Sequence, residues 1–452
     1  MQHQQTSTWR ATARRLGGLC LLCASAVNVS FASDEVPGAP QDKPIAIVGA
    51  DVYPVAGPPI RGGTVVFDKG KIVAVGAGVS VPPGAQTIDA KGKRVYPGLF
   101  DSMSNIGLVE IGAVRPSSDL SETGDVNPNA RAETAINPDS EHFPVTRSNG
   151  VLVSLVAPQG GVLAGSAAVV QHDGWTWEDM TLRAPAAMVL NWPNMRLQRG
   201  FFVRETDAEQ IKRREEQLRQ ITRTFADARA YKSARAADPA TPYDSRWDAM
   251  IALLDGKIPL IVNANDVLQI QSAVAFAKRE KLKLIIAGGY DAPLCAPLLV
   301  ENGVPVIVTA VHRLPQRRSD PYDAAFTLPA RLKQAGVSFC IAGLDRSGNY
   351  RNLPYDAATA AAYGLPADDA LTAITLAPAK ILGVADRIGT LAPGRDATLF
   401  VCDGDILEIP TRVERAYIAG RLVDLNDKQK RLFEKYAEKY KRQRADPGTA
   451  GG

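Results

Sequence analysis

A change of texture along the chain limits its fold more than any other feature. A middle section of helical stretches punctuated by short apolar runs is bounded at both ends by β-branched runs set between Gly and Pro. The apolar runs are RVYPGLF, VLVSLVA, AAVVQ, AMVLN, IPLIV, LKLIIAG, VPVIVTA and VSFCIAG. Short runs with no polar alternation suit strands buried on both faces, and their alternation with helices suits a parallel sheet. Eight such runs predict a protein of the α/β class built on a (β/α)8 TIM-type barrel.

The two ends are written differently. AIVGADVYPVAG, TVVFDKGKIVAVG and AQTIDAKGKRVYPG before the barrel, and DATLFVCDGD and VERAYIAGRLVDL after it, read as short antiparallel strands with tight turns. They predict one small β-sandwich assembled from residues 45–95 and 391–425, around a barrel of residues 96–390. A chain of 452 residues has the length for one large domain with a smaller companion. Helices are expected at Asp266 to Lys281 and Pro354 to Tyr363, with a long charged helix from Thr206 to Ala234 inserted after the fourth strand. The tail from Asn426 to Arg444 reads as a last amphipathic helix packed on the outside. Residues 107–150, rich in Asn, Pro and Ser, read as a long connection over the barrel mouth, where specificity loops sit.

The first residues read as an address. Arg10, Arg14 and Arg15, with no acidic residue, precede the apolar run LGGLCLLCASAV, and Ser30-Phe31-Ala32 offers small residues at the cleavage-determining positions. This predicts a cleaved signal peptide of residues 1–32, a flexible leader of residues 33–44, and a periplasmic or secreted protein. The apolar run is too short for a comfortable membrane span. Cleavage would lower the formal net charge from +4 to +1, which argues against a nucleic-acid partner. Cys20 and Cys23 would leave with the signal, and Cys295, Cys340 and Cys402 are scattered as small buried residues rather than as ligands.

Three stretches together carry a resemblance: residues 69–101, with KGKIVAVG and IDAKGKRVYPGLFD; residues 378–405, PAKILGVADRIGTLAPGRDATLFVCDGD; and AGLDRSGNYRNLPYDAATAAAYGL. In this order they resemble the amidohydrolase superfamily, of the imidazolonepropionase and dihydroorotase type. The resemblance implies a hydrolase of non-peptide carbon–nitrogen bonds whose barrel mouth binds zinc or a similar divalent metal. Active relatives end their first strand in G-L-I-D-x-H-x-H, because two imidazoles one residue apart point into the mouth. Here the line reads Gly98-Leu99-Phe100-Asp101-Ser102-Met103-Ser104-Asn105, so Met103 and Asn105 stand at both histidine positions. The fourth-strand region, residues 184–195, has no Lys, Asp or Glu, the fifth offers Asn263 and Asn265, and the sixth has Gly288 where a histidine would align. Only Asp345, after the eighth strand, matches.

Other residues carry little chemistry. After signal cleavage three histidines remain, His142, His172 and His312, none within ligand spacing of another. His142 and His172 read as surface or structural residues, whereas His312 follows the seventh-strand run and reads either as structural or as facing the mouth. Asp345 reads as a partner of Arg346 or a helix cap, or else as a ligand-binding or residual catalytic group. The glycines of APQGGVLAGSAAVV read as a tight turn, and HDGWTWEDM as a packed loop over the barrel or a stacking wall. The expectation is a metal-depleted homologue, a pseudoenzyme with a degenerate metal site and no cofactor. It would bind a small molecule, or pair with an active amidohydrolase homologue, and after signal cleavage it would meet no membrane. Its pocket would be lined by Met103, Ser104, Asn105, Asn263, Asn265, Gly288, Tyr290 and Arg346, with Asp345 and His312 as the catalytic candidates. The alternative is an active carbon–nitrogen hydrolase with a rearranged or metal-free site.

Overall fold

In the first barrel run a glycine divides two different strands. Arg94–Pro97 (β5) belongs to a flanking sheet, and Leu99–Ser104 (β6) opens the barrel. Between them a Cβ on Gly98 would stand 3.0 Å from both the Leu152 and Thr398 side chains, so the chain can cross there only as glycine without displacing them. The computed structural model describes residues 35–200, 203–343 and 348–445. The segment expected to be a signal peptide therefore lies outside the described residues, as do Asp345 and Arg346.

The barrel sheet continues with Val151–Val156 (β7), Leu163–Gln171 (β8), Thr181–Asn191 (β9), Leu260–Ala264 (β10), Leu284–Gly288 (β11), Val306–Thr309 (β12) and Phe339–Ala342 (β13). These eight strands are hydrogen-bonded in chain order. Strands β6 and β7 are parallel, as are all neighbours from β9 to β13. The expectation of eight parallel strands fails at one place: β8 runs antiparallel to both β7 and β9. The linker between β7 and β8, residues 157–162, is a glycine turn, and a parallel crossover needs roughly a dozen residues or more. At the closing edge, side chains join β6 to β13. Ser102 Oγ donates to Ile341 O at 3.2 Å, and Gly343 N donates to Asp101 Oδ1 at 3.1 Å.

The flanking sheet comprises Ile45–Val52 (β1), Ile60–Asp68 (β2), Lys71–Gly76 (β3), Gln86–Asp89 (β4) and β5, joined by Leu399–Cys402 (β14), Val413–Ile418 (β15) and Arg421–Val423 (β16). Its order is β16-β15-β14-β5-β1-β2-β3, with β4 also on β1, so hydrogen bonds make one continuous sheet of these strands. Strand β14 pairs antiparallel with β5, from Leu399 opposite Pro97 to Cys402 opposite Arg94. One face buries Ile47, Val65, Phe67, Val95, Val401 and Tyr417. Tyr96 and Phe400 look the other way, into the barrel's own core. Arg421 ties this sheet to the turn after β8 through Asp173, at 3.0 Å.

Asp207–Ala237 (α1) follows the fourth barrel strand and starts in a capping box between Thr206 and Glu209. Val267–Glu280 (α2) is capped by Asp266, and Leu353–Ala362 (α3) follows the last barrel strand. The last helix, Lys428–Ala445 (α4), forms, but it does not pack: residues 428 to 444 are all exposed. Residues 107–150 do not simply roof the mouth. Leu108, Ile136 and Phe143 pack against Val156, Ala168 and Val170 on the outside of β7 and β8. The Trp-bearing turn between β8 and β9 lies at the opposite end from the mouth, where Gln171 faces Val153 near the start of β7. There Trp175 is exposed and Trp177 half-buried.

Candidate functional site

In a barrel of this kind the chemistry is expected where the parallel strands end, because the loops there converge on the axis. At the end of β6, Met103 is half-buried and packs against the barrel core. Ser104 Oγ accepts from Ile106 N at 3.2 Å. Asn105 is buried, and its Oδ1 accepts a hydrogen bond from the Tyr350 hydroxyl. That oxygen is the amide's ligating atom, and one of its two lone pairs is already engaged.

The next strand ends are joined by amides. Asn263 Nδ2 donates to Asn191 Oδ1 at 2.7 Å, and Asn191 Nδ2 donates to Gly161 O at 2.8 Å in the β7–β8 turn. At the end of β11, Gly288 has φ +98°, and a Cβ there would stand 2.6 Å from Asn265 Oδ1. The Asn265 amide thus occupies the space into which a side chain at residue 288 would project. Arg313, after β12, points its Nη1 toward the same Oδ1 at 3.5 Å and lies over the Tyr290 ring, 5.1 Å from the centroid. Burial lowers the Arg313 pKa, and among the described residues no carboxylate forms an ion pair with it. Arg317 is different, being held by Asp291 at 2.5 and 2.8 Å and by Asp320 at 2.9 Å. The Tyr290 hydroxyl donates to Asp320 at 2.9 Å. A polar cavity of about 290 Å³ opens beside Asn191, lined by Trp192, Asn194, Arg196, Arg213 and Arg214. The mouth therefore presents amides and guanidinium groups. Arg196 and Arg213 are paired with Asp266 and Glu205, which leaves Arg214 and Arg313 as the guanidinium groups there without an ion pair among the described residues and suited to an anion.

His312 does not join this group. Its Nδ1 lies 3.4 Å from Asp356 Oδ1 and its Nε2 lies 2.6 Å from Thr359 Oγ1, so both ring nitrogens are engaged by α3. Burial pushes the Asp356 carboxyl up to about 6, against the pull of His312 beside it. His142 Nε2 contacts Glu110 O at 3.1 Å, and His172 is fully buried. Among the described residues no three His, Cys, Asp or Glu side chains are grouped as a metal site. Asp345 and Arg346 fall outside that description.

Sequence reasoning had named Asn263, Asn265, Gly288 and Tyr290, but not Arg313, Asn191 or Tyr350. The run HRLPQRR directly after a barrel strand was a usable signal for Arg313. Nothing local marked Asn191 or Tyr350, whose partners come from distant segments.

The Amidohydrolase family profile matches residues 298–428. Amidohydrolase tasK of Hapsidospora irregularis is 23% identical over 386 residues, covering 79% of this chain and 39% of that protein. The chain thus spans well under half the length of that curated relative. An amidohydrolase from Thermotoga maritima MSB8 superposes with a TM-score of 0.75 at 27% identity, over 84% of this chain and 99% of that one. Together these matches support assignment of the chain to the amidohydrolase superfamily. A further amidohydrolase structure shares the fold with a TM-score of 0.51 at 17% identity, over 84% of this chain and 99% of its own. The family profile runs from the helix before β12 to the start of α4, so it takes in the last two barrel strands and the return into the flanking sheet.

Proposed function

We propose that this amidohydrolase-family protein binds a small anionic molecule at a barrel mouth that no longer holds the family's divalent metal. The observation that carries the proposal is the amide of Asn265 standing where a side chain on Gly288 would have to go. Around it the Asn105 oxygen accepts from the Tyr350 hydroxyl, and Asn263 Nδ2 donates to Asn191. Neutral amides are weak substitutes for imidazole, and the thioether of Met103 is a neutral, weakly donating ligand beside it. These side chains do not fit the metal, so no hydrolytic step is derived through it. The alternative of a metal-free hydrolase built on Asp345, His312 and the asparagines draws no support from His312, whose ring nitrogens face α3. Arg313 supports the anion reading, since a half-buried guanidinium that has no ion-pair partner among the described residues is desolvated at a cost that an incoming carboxylate would offset.

The decisive measurement is elemental analysis of protein purified without chelator or added metal. Well under one equivalent of zinc, manganese or iron is expected, with no turnover of simple amides, dipeptides or lactams. About one ion per chain, lost on Asp345→Ala, would overturn the proposal. Restoring histidine at Met103 and Asn105 together is expected to leave the protein metal-free, because the other strand ends still offer amides and glycine. In parallel, a panel of simple carboxylates including N-acetyl amino acids is expected to raise the melting temperature of the wild type, and Arg313→Gln to remove that shift.

A further inference from the structure

Helix α4 carries its apolar residues on the side facing away from the rest of the protein. Placing successive residues at about 100° per residue, Leu432, Phe433, Tyr436 and Tyr440 fall on one stripe. All four are exposed, Phe433 to 74% and Tyr440 to 55%. Arg431 projects from the roughly opposite face and meets Glu141 at 3.2 Å, joining the helix to the body by its polar side. An amphipathic helix that served the core would be turned the other way.

The charge pattern says what the stripe can meet. From Lys428 to Arg444 the helix carries eight Lys or Arg and two Glu. Lys428, Lys435 and Lys439 border the stripe on one side, and Lys430, Lys441 and Arg444 on the other. Both glutamates, Glu434 and Glu438, sit on the face near Arg431, away from the stripe. Low overall hydrophobicity, aromatic residues on one face and cations along both borders are the features of a helix lying in a lipid–water interface. The aromatic rings would enter the headgroup boundary while the long basic side chains reach anionic phosphates.

We propose that α4 is a docking helix for an anionic phospholipid surface, using Leu432, Phe433, Tyr436 and Tyr440 as its buried stripe and the flanking cations as its headgroup contacts. The proposal is independent of what the barrel mouth binds, and it reverses the sequence-based expectation of a protein without membrane contact.

Vesicle flotation of the full chain tests it, with vesicles of phosphatidylcholine containing phosphatidylglycerol set against pure phosphatidylcholine. The wild type is expected to float with the anionic vesicles at low salt, to bind roughly tenfold less at high salt, and to ignore the neutral ones. The combined variant Phe433→Ser, Tyr436→Ser, Tyr440→Ser is expected to lose roughly tenfold in anionic binding. These positions are exposed, so the fold should not change, and the variant keeps the same N-terminal segment, so the loss would belong to α4. A wild type that stays in the lipid-free fraction, or a variant that floats as well as the wild type, overturns the proposal. So does a concentration-dependent dimer of the wild type, lost in the variant, with neither captured by vesicles.

Discussion

At His172 the ring is fully buried, with Nδ1 2.9 Å from Val151 O and Nε2 2.9 Å from Ser154 Oγ. A carbonyl can only accept, so Nδ1 carries the proton and Nε2 accepts from the serine hydroxyl. Burial, with Arg147 nearby, pushes the imidazole down to about 3. Because the folded value lies below the ordinary one, the neutral ring is favoured in the fold. Its contribution is fully present above about pH 6.5 and is lost as pH falls, at about 1.4 kcal/mol per pH unit. His172→Gln keeps a neutral group able to donate and accept. The wild-type stability in urea, minus that of the variant, should therefore decline by about that slope between roughly pH 6 and pH 4. A difference that stays flat over that range would show that the ring does not titrate with unfolding. The same desolvation acts on the thiols: Cys340 and Cys402 are each pushed up to about 12 and Cys295 to about 11, and all three are buried and free. For these cysteines, scattered spacing was a sufficient guide. For Asn105, Asn191 and Asn265 it was not, since an asparagine says nothing about its partner.

Among the elements, the closing edge of the barrel depends on side chains rather than on a ladder. Asp101 is buried, and its Oδ1 accepts from Gly343 N on the far side of the seam. In the family resemblance this aspartate merely precedes the histidine pair, whereas in space it bridges the first and last barrel strands. Asp101→Ala is expected to lower stability by about 2 kcal/mol, the usual scale for a buried bond to a charged acceptor. Urea midpoints of the two proteins would read it, and an unchanged midpoint would mean that the seam is held by other contacts. The direction of β8 was legible in part. The tight turn at Ala157–Val162 is visible in APQGG, and its shortness forces a hairpin, but counting apolar runs alone does not register strand direction. The exposed stripe of α4 is the converse case. Its amphipathic pattern was plain, and which way it faces depended on Arg431 finding Glu141.

For the molecule as a whole, the flanking sheet is made from both ends of the chain, and β5 needs β14 as its neighbour. Truncation at Leu391 would strip β14, β15 and β16, leaving the edge of β5 unpaired and Tyr96, Phe67 and Val95 without Phe400, Val401 and Tyr417 over them. An insoluble product is expected; a soluble fragment that melts cooperatively would show that the barrel and β1–β5 stand without the tail. The α/β barrel class and the superfamily were both readable before any coordinates. Strand period, run length and the texture at the two ends are local properties, and the loss of Lys, Asp and Glu from residues 184–195 is a matter of residue identity. Tertiary structure decided what depends on which groups approach one another: the Asn263–Asn191 pair, the Asn105–Tyr350 bond and the outward stripe of α4. It also decided that the space at Gly288 is filled by Asn265 from the neighbouring strand end. Hydrogen bonding and steric exclusion act over a few ångströms in space, between residues whose separation along the chain carries no record of that proximity.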